Sequence, residues 1–332
     1  MENTNITFVI KNIERIVEKH KLAPGCYKRF MSDCTANPYG CADAANILYT
    51  IGKFPKDSFE RSEFVRVLGD MQSSDSGLFV EQPIEPGKFV HDPIHTTAHC
   101  MAAMELFDAL PVYRATALEK YLDKDVLYDF FESLDWYATP GAPAHKGAGL
   151  YAALNLGGSD CREFNKNYFK WLWDNTDPKT GFIRKGCQDG QMSIWHHMGA
   201  TFHFLFNMEY AHIPFRYPDK IIDTCIDMYK NELLENFGKE TRFVEMDWIY
   251  CLSRSGRQTP YRHNDVMECI EDFASKYILY WQNVDYDNDR NINDMHELFG
   301  GVCALAELQN VLRGKIYTDI PLKLVLDRRP FI

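Results

Sequence analysis

The segment Ile94-His-Thr-Thr-Ala-His-Cys-Met-Ala-Ala-Met-Glu-Leu-Phe-Asp-Ala-Leu110 decides the fold class of this chain. Its residues are apolar or small around nearly the whole circumference of a helix, whereas Ile6, Ile13 and Val17 form one apolar stripe among charged residues. A helix that is apolar on all sides must be enclosed by protein, while an amphipathic helix keeps one face in water. The period-two alternation typical of strands is almost absent, so the sequence predicts an all-α fold.

The two kinds of helix alternate along the chain. Amphipathic segments are predicted at residues 6–17, 62–72, 126–136, 163–173, 219–234 and 266–282, and apolar segments at 39–51, 94–110, 145–156, 194–210, 244–252 and 294–312. Six segments of each kind, at about 55 residues per pair, indicate an internal repeat. The simplest closed arrangement places six inner helices inside six outer helices. The sequence therefore predicts an (α/α)6 toroid made of outer and inner helix hairpins, with a single domain over residues 1–332.

Two of the predicted helix pairs carry motifs that resemble a known group of families. The first reads Phe64-Val-Arg-Val-Leu-Gly-Asp-Met-Gln72, Ser76-Gly-Leu-Phe79, His91-Asp-Pro-Ile-His-Thr-Thr-Ala-His99 and Met101-Ala-Ala-Met-Glu-Leu-Phe107. The second reads Tyr168-Phe-Lys-Trp-Leu-Trp173, Asp177-Pro-Lys-Thr-Gly-Phe182 and Trp195-His-His-Met-Gly199. Both resemble the repeat of the α/α-toroid families, which include protein prenyltransferases, squalene-type cyclases and six-hairpin glycosidases. The resemblance implies a toroid and, through its glycosidase and epimerase members, a polar active site where the inner helices begin.

Ionisable side chains stand at the beginning of every predicted inner helix. The residues expected to take part in catalysis are Asp43, His95, His145, His196, His197, Asp247, His296 and Glu297. In a ring of parallel inner helices these ends meet at one cavity, and convergent titratable groups are typical of an active site. The partial positive charge of a helix N-terminus disfavours imidazolium, so histidines there suit proton abstraction or metal binding. For any single one of these side chains, helix capping is the structural alternative.

Aromatic residues at the same helix ends are expected to contact the substrate. Tyr39, Trp195 and Trp248 lie where inner helices begin, the last two beside a His or an Asp. Flat rings that line a polar cavity provide stacking faces for sugar rings. Core packing is the alternative interpretation for most aromatic residues of the inner helices.

Metal binding is a further alternative, although no cofactor is expected. The spacing His95-x-x-x-His99 places two imidazoles on one helix face, where they could hold zinc with a third ligand from another inner helix. The segment Asp285-Tyr-Asp-Asn-Asp-Arg-Asn-Ile-Asn293 resembles the start of a calcium loop. It departs from that pattern because Arg290 replaces the glycine and His296 replaces the acidic twelfth residue. Zinc and calcium therefore stay open as alternatives.

Charge and composition limit the partners and the compartment. Lys and Arg number 36 against 47 Asp and Glu, and the net charge of −11 disfavours nucleic acid and acidic membrane surfaces as partners. No run approaches the roughly 18 apolar residues of a membrane span, and the first residues lack the pattern of a signal peptide. The ten cysteines are scattered without a Cys-x-x-Cys motif. The sequence predicts a cytoplasmic protein with no membrane or nucleic-acid partner.

These observations favour an acid-base enzyme that acts on a carbohydrate or a related polar small molecule. A small-molecule or oligosaccharide substrate would bind where the inner helices begin, and the reaction would be that of a glycoside hydrolase, a lyase or an epimerase. The excess of histidine over carboxylate favours the lyase or epimerase reaction. The alternatives are a terpenoid cyclase-like or prenyltransferase-like enzyme and a non-catalytic toroid that binds a glycan or a protein. Unpaired ionisable groups around a cavity would favour an enzyme, whereas groups paired in salt bridges would favour the binding protein; the oligomeric state stays open.

Overall fold

The computed structural model describes residues 3–82, 90–190, 192–231 and 234–331, and helices dominate it. In these ranges the chain forms twelve α-helices, which are α1 (Thr7–His20), α2 (Pro38–Thr50), α3 (Ser58–Asp70), α4 (Pro93–Glu105), α5 (Lys124–Ser133), α6 (Gly141–Leu156), α7 (Arg162–Asn175), α8 (Ile194–Tyr210), α9 (Pro218–Lys230), α10 (Phe243–Gln258), α11 (His263–Asn283) and α12 (Met295–Val311). Its short strands are β1 (Thr4–Asn5), β2 (Lys21–Ala23), β3 (Cys26–Tyr27) and β4 (Ile316–Tyr317). β1 pairs with β4 in parallel, and β2 pairs with β3 antiparallel. The prediction of a mostly helical protein is confirmed.

Burial of the side chains follows the alternation that the sequence predicts. α1 buries a single stripe that includes Val9, Ile13 and Ile16, whereas α2 buries every residue from Pro38 to Ile47. The even-numbered helices α4, α6, α8, α10 and α12 are buried in the same way as α2. None of the helices in the described ranges combines the length and the apolar character that crossing a membrane requires. The apolar surface of the even-numbered helices is covered by protein.

Contacts among the even-numbered helices close into a cycle. α2 packs against α4, α4 against α6, α6 against α8, α8 against α10, α10 against α12, and α12 returns to α2. The odd-numbered helices pack on these: α3 contacts α2 and α4, and both α9 and α11 contact α10. α5 and α7 contact each other and the 3-10 helix Thr116–Leu122, which packs against α6. Each apolar helix thus has apolar neighbours on two sides and an amphipathic or 3-10 helix nearby.

Polar caps determine where four of the even-numbered helices begin. The side chains of Asn37, Asp92, Ser193 and Asp294 each accept a hydrogen bond from a main-chain amide in the first turn of α2, α4, α8 and α12. Pro38 and Pro93 occupy the first helical position, where a missing N–H costs nothing. These caps fix the helix ends at which the ionisable residues lie.

Residues 329–331 are buried against several even-numbered helices. Arg329 is buried and donates a hydrogen bond to Asn46 of α2. The carbonyl oxygen of Pro330 accepts a hydrogen bond of 2.7 Å from Asn207 of α8. The ring of Phe331 is fully buried, and its centroid lies 4.9 Å from that of His95 on α4. This short segment therefore contacts α2, α4 and α8.

Gly77 is expected to be essential for the packing of the turn before α4. Its φ is +71°, and an added Cβ would lie 1.8 Å from the carbonyl oxygen of Arg114. Gly158 has a similar φ of +78° but open space around the Cβ position. We expect Gly158→Ala to lower the free energy of unfolding by about 1–2 kcal/mol through backbone strain alone, and Gly77→Ala to lower it by clearly more. Urea denaturation of both variants measures the difference, and equal losses would contradict the close approach.

Candidate functional site

A cavity of about 600 Å³ lies where the even-numbered helices begin. It is lined by residues from the first turns of α4, α6, α8, α10 and α12, by His203 further along α8, and by loop residues that include Arg29, His91 and Arg242. The same ends of five helices therefore meet around one space. The side chains on this lining are mostly polar or ionisable, so the chemistry of the cavity depends on how these groups are paired.

Three histidines from three helices face one another at the cavity. His95 of α4, His145 of α6 and His203 of α8 line it, and the ring centroids are 4.5 Å apart for His95 and His145 and 5.0 Å apart for His145 and His203. Nδ1 of His203 lies 2.8 Å from the carbonyl oxygen of Gly199, and Nδ1 of His95 lies 2.5 Å from the hydroxyl of Tyr39. Burial lowers the pKa of His95 and of His145 well below the usual value, and lowers the pKa of His203 to about 4. All three imidazoles are therefore neutral at neutral pH.

A second group of ionisable side chains is paired internally. Asp43 of α2 has no exposed surface, and its carboxylate accepts hydrogen bonds from Nε2 of His99 at 2.8 Å and from Nδ1 of His296 at 3.3 Å. Burial alone would raise the pKa of Asp43, but His296 and His99 lower it below the usual range. The buried cation of Arg329 adds to this group electrostatically. Asp43 and its partners form a closed network that stabilises the packing of α2, α4 and α12.

Arg29 organises a third group at the edge of the cavity. Its guanidinium donates to Glu81 at 2.9 Å and to Asp294 at 3.0 Å, and Nδ1 of His91 lies 3.0 Å from the second oxygen of Glu81. Burial alone would raise the pKa of Glu81, but the hydrogen bond from His91 and the charge of Arg29 lower it to about 2. The same Asp294 caps α12, so this ion-pair network fixes the beginning of that helix.

Two carboxyl groups of the cavity hold a proton more tightly than ordinary carboxyls do. Within the described part of the chain neither Asp247 of α10 nor Glu297 of α12 forms an ion pair, and Oδ1 of Asp247 is buried without a hydrogen-bond partner. Burial, together with the charges of Glu245 and Glu297, raises the pKa of Asp247 well above its usual value. Burial, followed by the charge of Asp294, raises the pKa of Glu297 to about 7. These carboxyls keep a proton at a pH where ordinary carboxyls have lost it.

Most of the residues expected from the sequence lie at or next to this cavity. Those that line it are His95, His145, Trp195, His196, Asp247, His296 and Glu297. Tyr39 lies behind the lining, where it stacks on His91 with a centroid distance of 4.2 Å and hydrogen-bonds to His95. Asp43 also lies behind it, bound to His296. His95 and His99 fall into different groups of ionisable side chains: His95 lies with His145 and His203, whereas His99 lies with Asp43 and His296.

His197 and Trp248 lie away from the lining. His197 is buried, while its neighbour His196 is exposed and faces the cavity. Neighbouring residues of a helix point about 100° apart, so only one of the two can face this space. Trp248 is fully buried, donates from Nε1 to the carbonyl oxygen of Cys225 at 2.9 Å, and packs against Tyr229. Trp248 therefore belongs to the packing of α10 on α9, away from the lining of this cavity.

Several residues of the site were not selected from the sequence. His203 lies seven residues after His196, a spacing that returns to nearly the same helix face, so helical periodicity could have identified it. Arg29 and Glu81 lie in loops, where no periodic pattern exists to reveal them. Their approach to the cavity depends on tertiary packing alone.

In the loop that resembles a calcium site, the carboxylates bind main-chain amides of the loop or basic side chains of α1. Oδ1 of Asp285 accepts from the main-chain amide of Asp287 at 3.1 Å, and Oδ1 of Asp289 accepts from that of Ile292 at 2.9 Å. Asp287 forms ion pairs with Arg15, at 2.6 Å, and with Lys19. Among the described residues, the two groups of three side chains spaced for a metal ion lie elsewhere. The loop is a turn that connects α11 to α12 and contacts α1.

Comparisons with known proteins do not assign the chain to a family. No protein-family model matches it, and neither a curated protein nor a solved structure gives a significant match. The resemblance to the α/α-toroid families therefore stays a prediction from the sequence motifs.

The raised pKa of Glu297 predicts a specific dependence of stability on pH. The folded pKa of about 7 exceeds the usual glutamate value of 4.5, so between these values the folded protein holds a proton that the unfolded chain has lost. The free energy of unfolding should therefore fall as the pH rises through this window, by up to about 3 kcal/mol. Glu297→Gln lacks this titrating carboxyl. Its free energy of unfolding relative to that of the wild type should therefore increase from pH 5 to pH 8, as measured by urea denaturation. The exposed control Glu268→Gln should show no such trend; a flat difference for Glu297→Gln would refute the raised pKa.

Proposed function

We propose that the closed cycle is the inner ring of an (α/α)6 toroid and that the cavity is the active site of an acid-base enzyme. The substrate class we propose is a carbohydrate or a related polar small molecule, and the reaction is proton abstraction next to a carbonyl or carboxylate, as in a lyase or an epimerase. One observation carries the proposal. Carboxyls that keep a proton, Asp247 and Glu297, line the same cavity as imidazoles that can accept one.

Glu297 is the proton donor best suited to neutral pH. Its pKa of about 7 leaves it protonated in a substantial fraction of molecules while it can still release the proton. The main-chain amide of Phe243 donates to its carboxyl at 3.2 Å, which orients the group on the lining. Asp247, whose pKa is also raised well above its usual value by burial, is a second proton donor on the neighbouring helix α10. Burial is the largest cause of both raised pKa values, and neither carboxyl forms an ion pair within the described residues.

His145 and His196 are the proton acceptors of the proposal. Both line the cavity, and no described residue hydrogen-bonds to either imidazole ring. A ring without a partner can turn towards the carbon-bound proton of a substrate and take it on a free nitrogen lone pair. His196 is exposed on the open side of the cavity, so a substrate can reach it without displacing core residues.

Unpartnered polar atoms favour a polar ligand over an apolar one. Nε1 of Trp195 and Oδ1 of Asp247 are buried without hydrogen-bond partners in the described structure, and both residues line the cavity. A buried polar atom without a hydrogen-bond partner costs free energy, and a hydroxyl-rich ligand would lower that cost by supplying the partner. The indole of Trp195 also offers a flat face to a sugar ring. These features argue against a terpenoid substrate, which has few groups to satisfy them.

The pairing of charges favours an enzyme over a binding protein. Arg29, Glu81 and Asp294 are paired in ion pairs, as expected of structural groups. Asp247 and Glu297 are not, and a protein that only binds a glycan has no use for buried proton donors. The unpaired carboxyls therefore support catalysis.

Deuterium exchange tests the proposed proton abstraction. The protein is incubated in D₂O with panels of uronic acids, aldoses and glycosides, and NMR follows loss of a carbon-bound proton while absorbance follows a new double bond. For a substrate found in this way, His196→Ala and Glu297→Gln should each lower kcat by about 100-fold to 10,000-fold. Because the acid must be protonated, kcat of the wild type should fall as the pH rises through about 7.

Exposed residues of the same types supply matched controls. His263→Ala and Glu268→Gln change side chains of α11 that are exposed and outside the cavity, so turnover should match that of the wild type. Circular dichroism of every variant separates loss of chemistry from loss of folding. Full activity in folded His196→Ala and folded Glu297→Gln would refute these roles.

A further inference from the structure

We propose that His95, His145 and His203 form a binding site for one divalent transition-metal ion, with zinc the best fit. The three side chains come from α4, α6 and α8, and one ligand atom from each lies within 4.8 Å of the other two. Three histidines with an open fourth position are a common ligand set of catalytic zinc. The site is distinct from the expected His95–His99 pair, since His99 is bound to Asp43.

The hydrogen bonds around the group leave one nitrogen of each ring available to a metal ion. Nδ1 of His203 lies 2.8 Å from the carbonyl oxygen of Gly199, which only accepts, so Nδ1 carries the proton and Nε2 carries the lone pair. Nδ1 of His95 can donate in the same way to the hydroxyl of Tyr39, 2.5 Å away, which again leaves Nε2 for a metal ion. A metal-bound histidine typically donates its other ring N–H to such a partner. His145 has no hydrogen-bond partner among the described residues and can turn either nitrogen inward.

Only small side-chain movements are needed to bring the three ligand atoms to the spacing that zinc requires. Tetrahedral zinc with Zn–N bonds of about 2.0–2.1 Å places its nitrogen ligands about 3.4 Å apart. The ligand atoms of the group lie within 4.8 Å of one another, so rotations of the side chains, His145 above all, can close the site. All three residues line the cavity, so the fourth position faces the space where a substrate would bind.

The second group of three, Asp43, His99 and His296, is a poorer site. Its carboxylate already accepts hydrogen bonds from both imidazoles, and binding a metal ion would break them. Asp43 and His99 have no exposed surface and lie behind the lining, so no position is open to the cavity. The buried cation of Arg329 acts on His99 and disfavours a second positive charge there.

The metal site adds to the proposed function and can be tested without a substrate. With the ion bound, His145 becomes a ligand, and His196 and Glu297 remain on the lining as the free imidazole and the proton donor. If no metal ion binds, the acid-base proposal keeps both His145 and His196 as acceptors. If metal binding is found but no turnover, the metal site stands and the acid-base proposal fails.

Metal titration of the full chain after removal of metal with a chelator tests the inference. We expect one equivalent of Zn²⁺ to bind in calorimetry, and Co²⁺ to give the visible absorption of a four-coordinate ion. His145→Ala and His203→Ala should weaken Zn²⁺ binding by about 100-fold or more, and Tyr39→Phe by about 10-fold to 100-fold because it removes only the partner of His95. His263→Ala, which changes an exposed histidine, should bind like the wild type.

Two further variants locate the ion. His145→Cys should retain Co²⁺ and add a thiolate charge-transfer band, which arises only if the side chain at position 145 contacts the ion. Asp43→Asn should retain Zn²⁺ binding, because the aspartate lies outside the proposed site. The proposal would be overturned if the wild type does not bind zinc stoichiometrically, or if folded His145→Ala binds it with unchanged affinity. It would also be overturned if folded Asp43→Asn loses the ion while His145→Ala retains it.

Discussion

Enclosure of helices that are apolar on every side is the constraint on which this structure depends. α2 buries all residues from Pro38 to Ile47, and such a helix is stable only where protein covers its whole circumference. Six helices of this kind cover one another when each packs between two of the others, and their contacts close accordingly from α12 back to α2. The amphipathic helices then cover the remaining surface. The position of the cavity is a consequence, because the beginnings of the enclosed helices converge there.

Burial of polar groups at these helix ends separates structural residues from candidate functional ones. Asp43 is fully buried but receives hydrogen bonds from two imidazoles, so its negative charge is compensated. Asp247 is almost as buried, yet no described residue compensates it, and the carboxyl responds by keeping its proton. Gly199 contributes to this difference, since a Cβ there would lie 3.0 Å from Oδ2 of Asp247 and the close approach of α8 helps to exclude water. The same sequence feature, an acid near a helix start, therefore has two different roles.

The sequence was sufficient for the order and character of the helices because hydrophobic periodicity is a local property. It also indicated that His95, His145 and Glu297 begin inner helices, since caps such as Asp92 and Asp294 mark those ends. The local sequence pattern does not predict the direction in which each of these side chains points. Which of the neighbours His196 and His197 faces the cavity depends on which side of α8 packs against other helices. In the same way, Trp248 faces α9 because of how α10 packs. Contacts between distant segments, such as Arg29 with Glu81, have no local pattern at all.

The charges inside the cycle divide into two regions with different consequences. Behind the cavity, Asp43 and the buried Arg329 carry opposite charges close to each other, and the segment that contains Phe331 closes this region against His95. On the lining, burial disfavours the charged forms, so the imidazoles of His145 and His203 and the carboxyl of Asp247 are neutral near pH 7. The carboxyl of Glu297 holds its proton in a substantial fraction of molecules at that pH. A cation bound by the imidazoles would change this balance, since its field would favour ionisation of nearby carboxyls. The proposed ion and the carboxyls of Asp247 and Glu297 would share one cavity lining, so the ion would act on their protonation through its charge.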